Sequence, residues 1–522
     1  MKLQSAGLTR LSAACLLVLA GSNVAAQQAG ASASDTTGGD ATAIERNWKI
    51  QPTLSLELTH TDNVNLQAVN PKSDYITRFS PGVRIEGKSA RASAYVNFQL
   101  QRISYLDSNA QDRVQRSLNS AATVELVDDW LYVDLTGVIT RQAISAFGAP
   151  ASGSDSITAN VVEATNYQFS PYIKGKLLGN TDYLLRLDNS WYSAKNGPLQ
   201  STFVQAVQGS LSGATQLSRL DWGLDANAQQ VEYSSSTQKN ETQALRGSLT
   251  YKFDPQFRVK AIGGQETNDY VNFTKQTTSI TGYGFEWAPT ERTLLSWTQE
   301  DRYFGKGHRL TFTHRTPSTA WRISDSRDVV IQAPQSMLYS RGTYYELLNA
   351  QFQSAIPDDA ERARYIDSLL QAMNVSPNAN VLGGYMTPRA TLDRNKEASV
   401  VWTGARNVIT MSAQSLERTS FGTGIGVPDD FSIYGPLIRQ RGVNFNWSYK
   451  VTPTASLSFL GNKSRTTGQS STQDTDRKLY SLILSNKLGA YTTGSIGVRR
   501  TEVSGFVSYD ENAILGTLML LF

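Results

Sequence analysis

Taken two residues at a time, most of the chain beyond Trp48 separates into an apolar face and a polar one. In ASAYVNFQLQ, Ala92, Ala94, Val96, Phe98 and Leu100 alternate with Ser93, Tyr95, Asn97, Gln99 and Gln101. RLDWGLDANAQ sets Leu220, Trp222 and Leu224 against Asp221 and Asp225. GVNFNWSYKV sets Val443, Phe445, Trp447 and Tyr449 against Asn444, Asn446, Ser448 and Lys450. Period-two alternation marks strands with one apolar and one polar face. The last stretch, NAILGTLMLLF, obeys the same rule: Ile514, Gly516, Leu518, Leu520 and Phe522 share a face that is apolar to its final residue.

The connectors alternate too. VDDW, LLGNTD, FDPQ, APTER and VTPT carry tight-turn chemistry. Between them fall longer polar stretches such as THTDNVNLQAVNPKSD, AFGAPASGSDSITANVV, FGTGIGVPDDFSIYGP and RTTGQSSTQDTD. Short turn followed by long loop is the rhythm of an outer-membrane barrel. The pattern predicts an all-β chain: a transmembrane antiparallel β-barrel of the outer-membrane type, with about 22 strands (about 18–24). An even count places both termini in the periplasm. WKIQPTLSLELT would be the first strand, with Leu54, Leu56 and Leu58 outward, and the last strand would pair with it to close the barrel.

A soluble β-sandwich also alternates. Three features argue against it. The apolar face carries Trp191, Trp222, Trp287, Trp297, Trp402 and Trp447 near strand ends, as the aromatic girdles of barrels do. The runs reach about 10–15 residues, where about 5–6 is usual in globular sheets. The closing apolar strand with its terminal Phe522 resembles the signal that outer-membrane barrels present to their assembly machinery. Outer-membrane lipid and that machinery are therefore the expected partners.

One segment, residues 331–392, does not alternate. Within PDDAERARYIDSLLQAMN, the residues Ile366, Leu369, Leu370 and Met373 are spaced for one face of a helix near 357–374. Pro357 suits a first helical position, and Asp358 and Asp359 suit its positive end. Strand parity puts this insertion on the outer side, where it could pack as a loop, cover the pore as a lid, or fold into the lumen as a constriction.

Composition adds the compartment. Lys2, Arg10, the apolar LSAACLLVLAG and the small residues Val24 and Ala26 predict a signal peptide at 1–26. Residues 27–47 read as a flexible periplasmic lead-in, and 48–522 as a barrel in the outer membrane of a Gram-negative bacterium. The only cysteine, Cys15, falls within the signal peptide, so the mature chain would hold no thiol. No apolar run reaches the length of a spanning helix. Lys+Arg 49 against Asp+Glu 45 is too even a balance for a nucleic-acid partner.

Candidate chemistry is sparse. His60, His308 and His314 are the only histidines, and no carboxylate motif accompanies them, so solvated or girdle positions are expected and no metal. No GxSxG elbow occurs, and GTGIG at 422–426 follows no parallel strand. No catalytic residue and no cofactor is expected, and the chain reads as a non-enzyme. What remains is the predicted lumen face. Its candidate lining residues are Tyr95, Tyr132, Arg186, Asp188, Tyr192, Asp221, Asp225, Arg246, Lys252, Arg258, Lys260, Glu300 and Arg302. Arg78, Arg84, Glu86, Arg102, Asp134, Tyr172, Lys174, Lys176, Glu286 and Lys450 are assigned to the same face. Mixed charge with scattered tyrosine suits a hydrated passage, although any wide barrel needs a solvated interior.

Three blocks, WKIQPTLSLELTHTDNVNL, RYFGKGHRLTFTHRTPSTAWRIS and AQFQSAIPDDAERARYIDSLL, resemble the outer-membrane proteins associated with the PEP-CTERM/exosortase system. The resemblance implies a large barrel that exports or anchors extracellular polysaccharide, with polysaccharide and periplasmic export components as further partners. It implies no catalytic residues. The terminal TLMLLF has no basic cluster after it, so the chain would serve that system and not be its cargo.

Overall fold

The computed structural model describes residues 47–107, 112–153, 155–194, 201–234, 239–270, 274–330, 345, 348, 349, 352, 362, 365, 366, 370, 385, 387, 389–421 and 429–522. The expected signal peptide, and the lead-in as far as residue 46, lie outside them. Asn47 already belongs to the first strand.

Twenty-two strands form one antiparallel sheet. They are β1 Asn47–Thr61, β2 Asp74–Lys88, β3 Ala92–Tyr105, β4 Arg113–Val127, β5 Leu131–Ala143 and β6 Val161–Leu177. Next come β7 Thr181–Ala194, β8 Ser201–Ala214, β9 Leu220–Tyr233, β10 Lys239–Lys252, β11 Phe257–Asn268 and β12 Gln276–Thr290. Then follow β13 Thr293–Arg302, β14 Gly305–Arg315, β15 Thr319–Val330, β16 Thr391–Thr403 and β17 Asn407–Ser420. The last five are β18 Leu437–Lys450, β19 Ala455–Thr467, β20 Thr475–Lys487, β21 Thr492–Gly505 and β22 Tyr509–Leu521. A short helix, α1 (Asp430–Tyr434), stands between β17 and β18.

Each strand pairs with its neighbour in sequence, and β22 returns to β1. That last seam runs from Thr53↔Leu521 through Leu56↔Leu518 to Thr61↔Ala513. Closure leaves no free edge, which hydrocarbon requires because an unpaired backbone group there costs several kcal/mol. The barrel has two unlike ends. The start of β1, the end of β22 and the tight turns lie at one, the turn end; longer connections lie at the other, the loop end. Side-chain acceptors build several of the turns. The Asp254 carboxylate accepts from the Gln256 and Phe257 N–H groups, both at 2.7 Å, and the Thr452 hydroxyl accepts from Ala455 N–H at 2.9 Å.

Alternation has the sense expected of a membrane wall. Leu56, Leu58, Tyr283, Leu245, Val443, Ile514 and Phe522 are exposed on the outward rows, while Ser412, Asn444, Asn446, Asn462 and Thr501 are buried on the inward rows. A soluble chain would do the opposite. Trp48, Trp130, Trp287, Trp321 and Trp402 are exposed close to the turn end, a girdle at one membrane boundary. The fold is thus a transmembrane barrel of the outer-membrane type.

This geometry separates two neighbouring substitutions. Leu518→Arg puts a charge on the outward row and should cost about 2–4 kcal/mol if it falls near the bilayer midplane, whereas Met519→Arg faces water and should cost little. Urea titration of the folded barrel in lipid vesicles checks this. Equal losses for the two would contradict the assigned faces.

Candidate functional site

Among the described residues, polar side chains from many strands converge in the lumen, and three segments from the loop end enter it. The first is the β5–β6 connection, residues 144–160. Its few apolar residues leave the water and seat on apolar side chains of the inward rows. Phe147 is buried with Ile438, Tyr385 and Phe431. Ala149 packs with Leu66, Val503 and Tyr509, and Ile157 with Val64, Ile76 and Ile103. The connection therefore reaches β18, β21, β22, β2 and β3 and crosses a broad sector of the barrel.

Polar contacts tie it down. Tyr105 Oη donates to the Asp155 carbonyl at 2.8 Å. Arg113 donates to the carbonyls of Asp155 and Ser156 at 3.1 and 3.0 Å, and Arg477 to that of Ala151 at 3.1 Å. The Asp155 carboxylate lies 3.6 Å from the Arg499 guanidinium, which also meets Glu511 at 3.0 Å. Burial raises the Asp155 carboxyl, but Arg499 and Arg78 outweigh it and hold the group below its ordinary value of 3.8.

The second segment is α1. Asp429 caps it, accepting from Ser432 N–H at 3.1 Å and pairing with Arg389 at 2.9 Å. Asp430 accepts from Ala146 N–H at 2.6 Å, so α1 and the 144–160 connection hold each other. The third is the insertion. Its described residues Leu348, Phe352, Ile366 and Leu370 are helical and almost wholly buried, and they cluster with Val401. Tyr345, Tyr365, Val408 and Leu460 pack around them. Val401, Val408 and Leu460 are inward residues near the turn end of β16, β17 and β19. The helix expected near 357–374 is thus represented by Arg362, Tyr365, Ile366 and Leu370; Leu369 and Met373 lie outside the described residues. Of the three placements left open for an insertion that leaves the wall at the loop end, the described residues fit the lumen: their apolar face finds its partners on inward residues toward the opposite end.

Between these segments and the wall from β7 to β18 remains a cavity of about 790 Å³. Arg246, Arg302, Arg309 and Arg418 line it together with Asp225, Asp328, Asp393 and Glu397. Most of these charges are paired. Arg302 meets Glu266 at 2.6 Å and Asp328 at 2.8 Å. Arg418 meets Asp393 at 3.1 Å and lies 4.8 Å from the Tyr385 ring centre. Arg246 reaches Glu300 at 3.4 Å. Opposite charges at short range keep the wall polar but near neutral, a surface that hydrogen-bonds a passing solute without trapping an ion.

Apart from Arg102, the sequence-assigned lining residues stand on inward rows, but they do not form one site. Asp225, Arg246 and Arg302 border the cavity, with Glu300 beside Arg246. Arg186 and Asp188 join Asp134 in a separate cluster on β5–β7, with Arg186–Asp134 at 2.7 Å and Arg186–Asp188 at 2.8 Å. There Tyr132 and Tyr172 stack at 5.1 Å, with Lys174 4.2 Å from the Tyr132 ring centre. Asp221 pairs with Lys252 at 2.5 Å, and Arg258 with Glu286, both near the turn end. Lys260 faces in from β11 opposite Gly284. Tyr95 is buried beneath Arg84, 5.8 Å from its ring centre. Tyr192 is 1% exposed, packed with Ala164 and Ala194, and touches no open lumen.

Arg102 is misassigned: it stands on an outward row above the apolar belt, 3.6 Å from Asp112. Its charge alone made it look inward, although by position it continues the apolar row of Phe98 and Leu100. Asp393, Glu397 and Arg418 were missed for the converse reason. In TLDRNKEASVVWT both rows of β16 carry charge at the loop end, so polarity does not separate them there. The histidines are all outward. His60 packs on Tyr75 with ring centres 4.4 Å apart, His308 meets Asp325 at 3.0 Å, and His314 meets the Thr293 hydroxyl at 2.8 Å. Among the described residues no group of three or more His, Cys, Asp or Glu side chains could hold a metal ion.

No protein-family model matches the chain, and no curated protein matches it in sequence. Solved outer-membrane proteins are similar in fold. The siderophore receptor PirA from Pseudomonas aeruginosa is 9% identical, with a TM-score of 0.43 over 91% of this chain and 80% of that one. The FrpB iron transporter from Neisseria meningitidis (F5-1 variant) is 10% identical, with a TM-score of 0.48 over 92% and 83%. OccK2 (OpdF) from Pseudomonas aeruginosa is 10% identical, with a TM-score of 0.34 over 91% and 98%.

Proposed function

We propose that the chain is an outer-membrane channel for a polar, sugar-like solute, held shut by its own inward-folded segments. The observation that carries this is the pairing of a charged, near-neutral lumen cavity with a self-contained obstruction. A barrel meant only as a wall has no need of a polar cavity between plug and strands. The turn end faces the periplasm in this reading, in keeping with the expected signal peptide and the tryptophan girdle. Arginine and carboxylate pairs beside tyrosines offer many hydrogen bonds to hydroxyl groups and little net field, which favours carbohydrate over simple ions. The resemblance to exosortase-associated barrels supports extracellular polysaccharide as the solute and export as the direction.

A second reading is favoured by the same obstruction: a structural barrel, filled by its own chain, that anchors surface polymer through its loops. Liposome swelling separates the two. A channel should admit oligosaccharides of graded size up to a cut-off once the insertion is removed, and Arg302→Ala with Arg418→Ala should change that cut-off or its selectivity. Liposomes that stay sealed to every sugar, with and without the insertion, would overturn the channel.

A further inference from the structure

Outside the barrel, toward the loop end of β16–β20, cations outnumber acids. Four cations on this face have acidic partners: Arg394 with Asp325 at 3.4 Å, Arg439 with Glu417 at 3.2 Å, Arg465 with Asp474 at 2.7 Å and Lys478 with Glu502 at 3.3 Å. Three more, Lys396, Arg441 and Lys463, are exposed and have no ion-pair partner among the described residues. With Arg394 and Arg465, and with Glu417 and Asp476 as the two acids of the lining, they surround a groove of about 420 Å³ whose floor is made by the small residues Ala413 and Ser415 and by Val443.

Register shows where this groove lies. Lys396 is level with Ser415, Arg441 and Arg465 across β16 to β19. One outward row closer to the turn end stand Ala398, Ala413, Val443 and Lys463, and the next holds Val400, Met411, Phe445 and Gly461. The last row is Trp402, Ile409, Trp447 and Phe459. The cations therefore crown an apolar wall, at the level where lipid headgroups meet acyl chains. Two strand spacings, about 10 Å, separate Lys396 from Arg441. Cations held that close repel one another unless an anion lies between them. Some outward charges at this end are matched, as Arg116 with Glu163 at 2.6 Å and Arg500 with Glu502 at 2.8 Å, whereas Lys306 and Arg327 on β14 and β15 have no ion-pair partner among the described residues but do not line the groove.

We propose that this groove binds the headgroup of a membrane lipid carrying at least two phosphates, with its acyl chains lying on Val443, Met411 and Phe445. Arginine and lysine are the natural partners of phosphate oxygens. Ser415 adds a hydroxyl at the centre, and Ala413 leaves room for a headgroup the width of a sugar. A bound lipid of this kind would fix the barrel's depth and link it to the polyanionic leaflet at its loop end.

The test uses the full barrel in nanodiscs. The probes are a bisphosphorylated diglucosamine lipid, the same lipid stripped of phosphate, and inorganic pyrophosphate. The intact protein should retain the bisphosphorylated lipid, and the triple variant Lys396→Gln, Arg441→Gln, Lys463→Gln should hold it about tenfold or more weakly, since a charge-assisted hydrogen bond is worth more than a decade in affinity. The charge-keeping triple Lys396→Arg, Arg441→Lys, Lys463→Arg should bind within about twofold of the intact protein, excluding a folding defect. Arg102→Gln, which removes an outward cation elsewhere, should have no effect. Equal binding by the Gln triple, or equal retention of the dephosphorylated lipid, would overturn the proposal. Displacement by pyrophosphate at the lipid's own concentration would assign the groove to a free anion and overturn it as well.

Discussion

Deleting the insertion should convert a nearly silent barrel into a conductor. Val330 and Thr391 face each other at the top of the β15–β16 ladder, so a short Gly-Ser turn can replace everything between them without disturbing the wall. The deletion removes Leu348, Phe352, Ile366 and Leu370 from Val401, Val408 and Leu460, and so clears the turn end of the lumen. A barrel of this strand number is wide enough to need a plug, and an unplugged one should pass about ten times the current of the intact protein or more. The gain should stay below that of an empty barrel, because the 144–160 connection and α1 still narrow the loop end. Planar-bilayer recording checks this, and unchanged conductance after deletion would mean that the insertion obstructs nothing. A milder variant, Leu370→Asp, should raise the frequency of brief openings, since it buries a charge in the apolar seat that holds the plug.

Arg499→Met should release the second obstruction. Arg499 is 9% exposed at its side chain and stands between Asp155 and Glu511, exposed by 3% and 2%. Removing Arg499 takes the nearest cation from two carboxylates in a buried site and leaves Asp155 only the weaker influence of Arg78. Breaking such a pair by taking away one partner costs about 3–5 kcal/mol. The cost falls on the seating of residues 144–160, because Asp155 is the contact that can leave. The pH dependence follows from the direction of its shift. With Arg499 present, the Asp155 carboxyl is held below 3.8, so its contribution is complete above that value and is lost as pH falls through the lowered one. The intact barrel should keep its loop seated at neutral pH and loosen only in strong acid. In the variant the larger of the two cationic influences on the Asp155 carboxyl is gone, so it should rise and the loop should loosen at a higher pH than in the intact barrel. Current noise recorded against pH reads this shift directly. Coincident pH profiles for the two proteins would remove Asp155 from the latch.

How much of this was legible depends on which solvent each residue meets. Where a strand crosses lipid, the two rows differ so much that strand number, β1–β22 closure and the outward face of Leu54, Leu56 and Leu58 could be read directly. Beyond the lipid both rows meet water, and the signal fades. Arg102 was misassigned there, and Asp393, Glu397 and Arg418 were missed. The inward-folded segments were harder still. Ile366 and Leu370 announced a buried face, but not the surface that buries it. That surface was present in the sequence as a defect in the pattern: Val401, Val408 and Leu460 are apolar residues on rows that should be polar. Ile76, Ile103, Ile438 and Val503 are the corresponding defects for the 144–160 connection. In a barrel, an apolar residue on a lumen row marks a place where the chain covers itself.

The most direct measurement is a cross-link between the insertion and the far end of the lumen. Cys15 is the only cysteine of the chain and lies in its expected signal peptide. Leu348→Cys and Val401→Cys would then be the only thiols of the mature barrel. Treated with a short bismaleimide in native outer membranes, this pair should join within one chain, and neither thiol should react with a bulky, membrane-impermeant maleimide added from outside the cell. Rapid labelling of Leu348→Cys from outside, with no cross-link to Val401→Cys, would put the insertion above the barrel and contradict a lumen closed by its own chain.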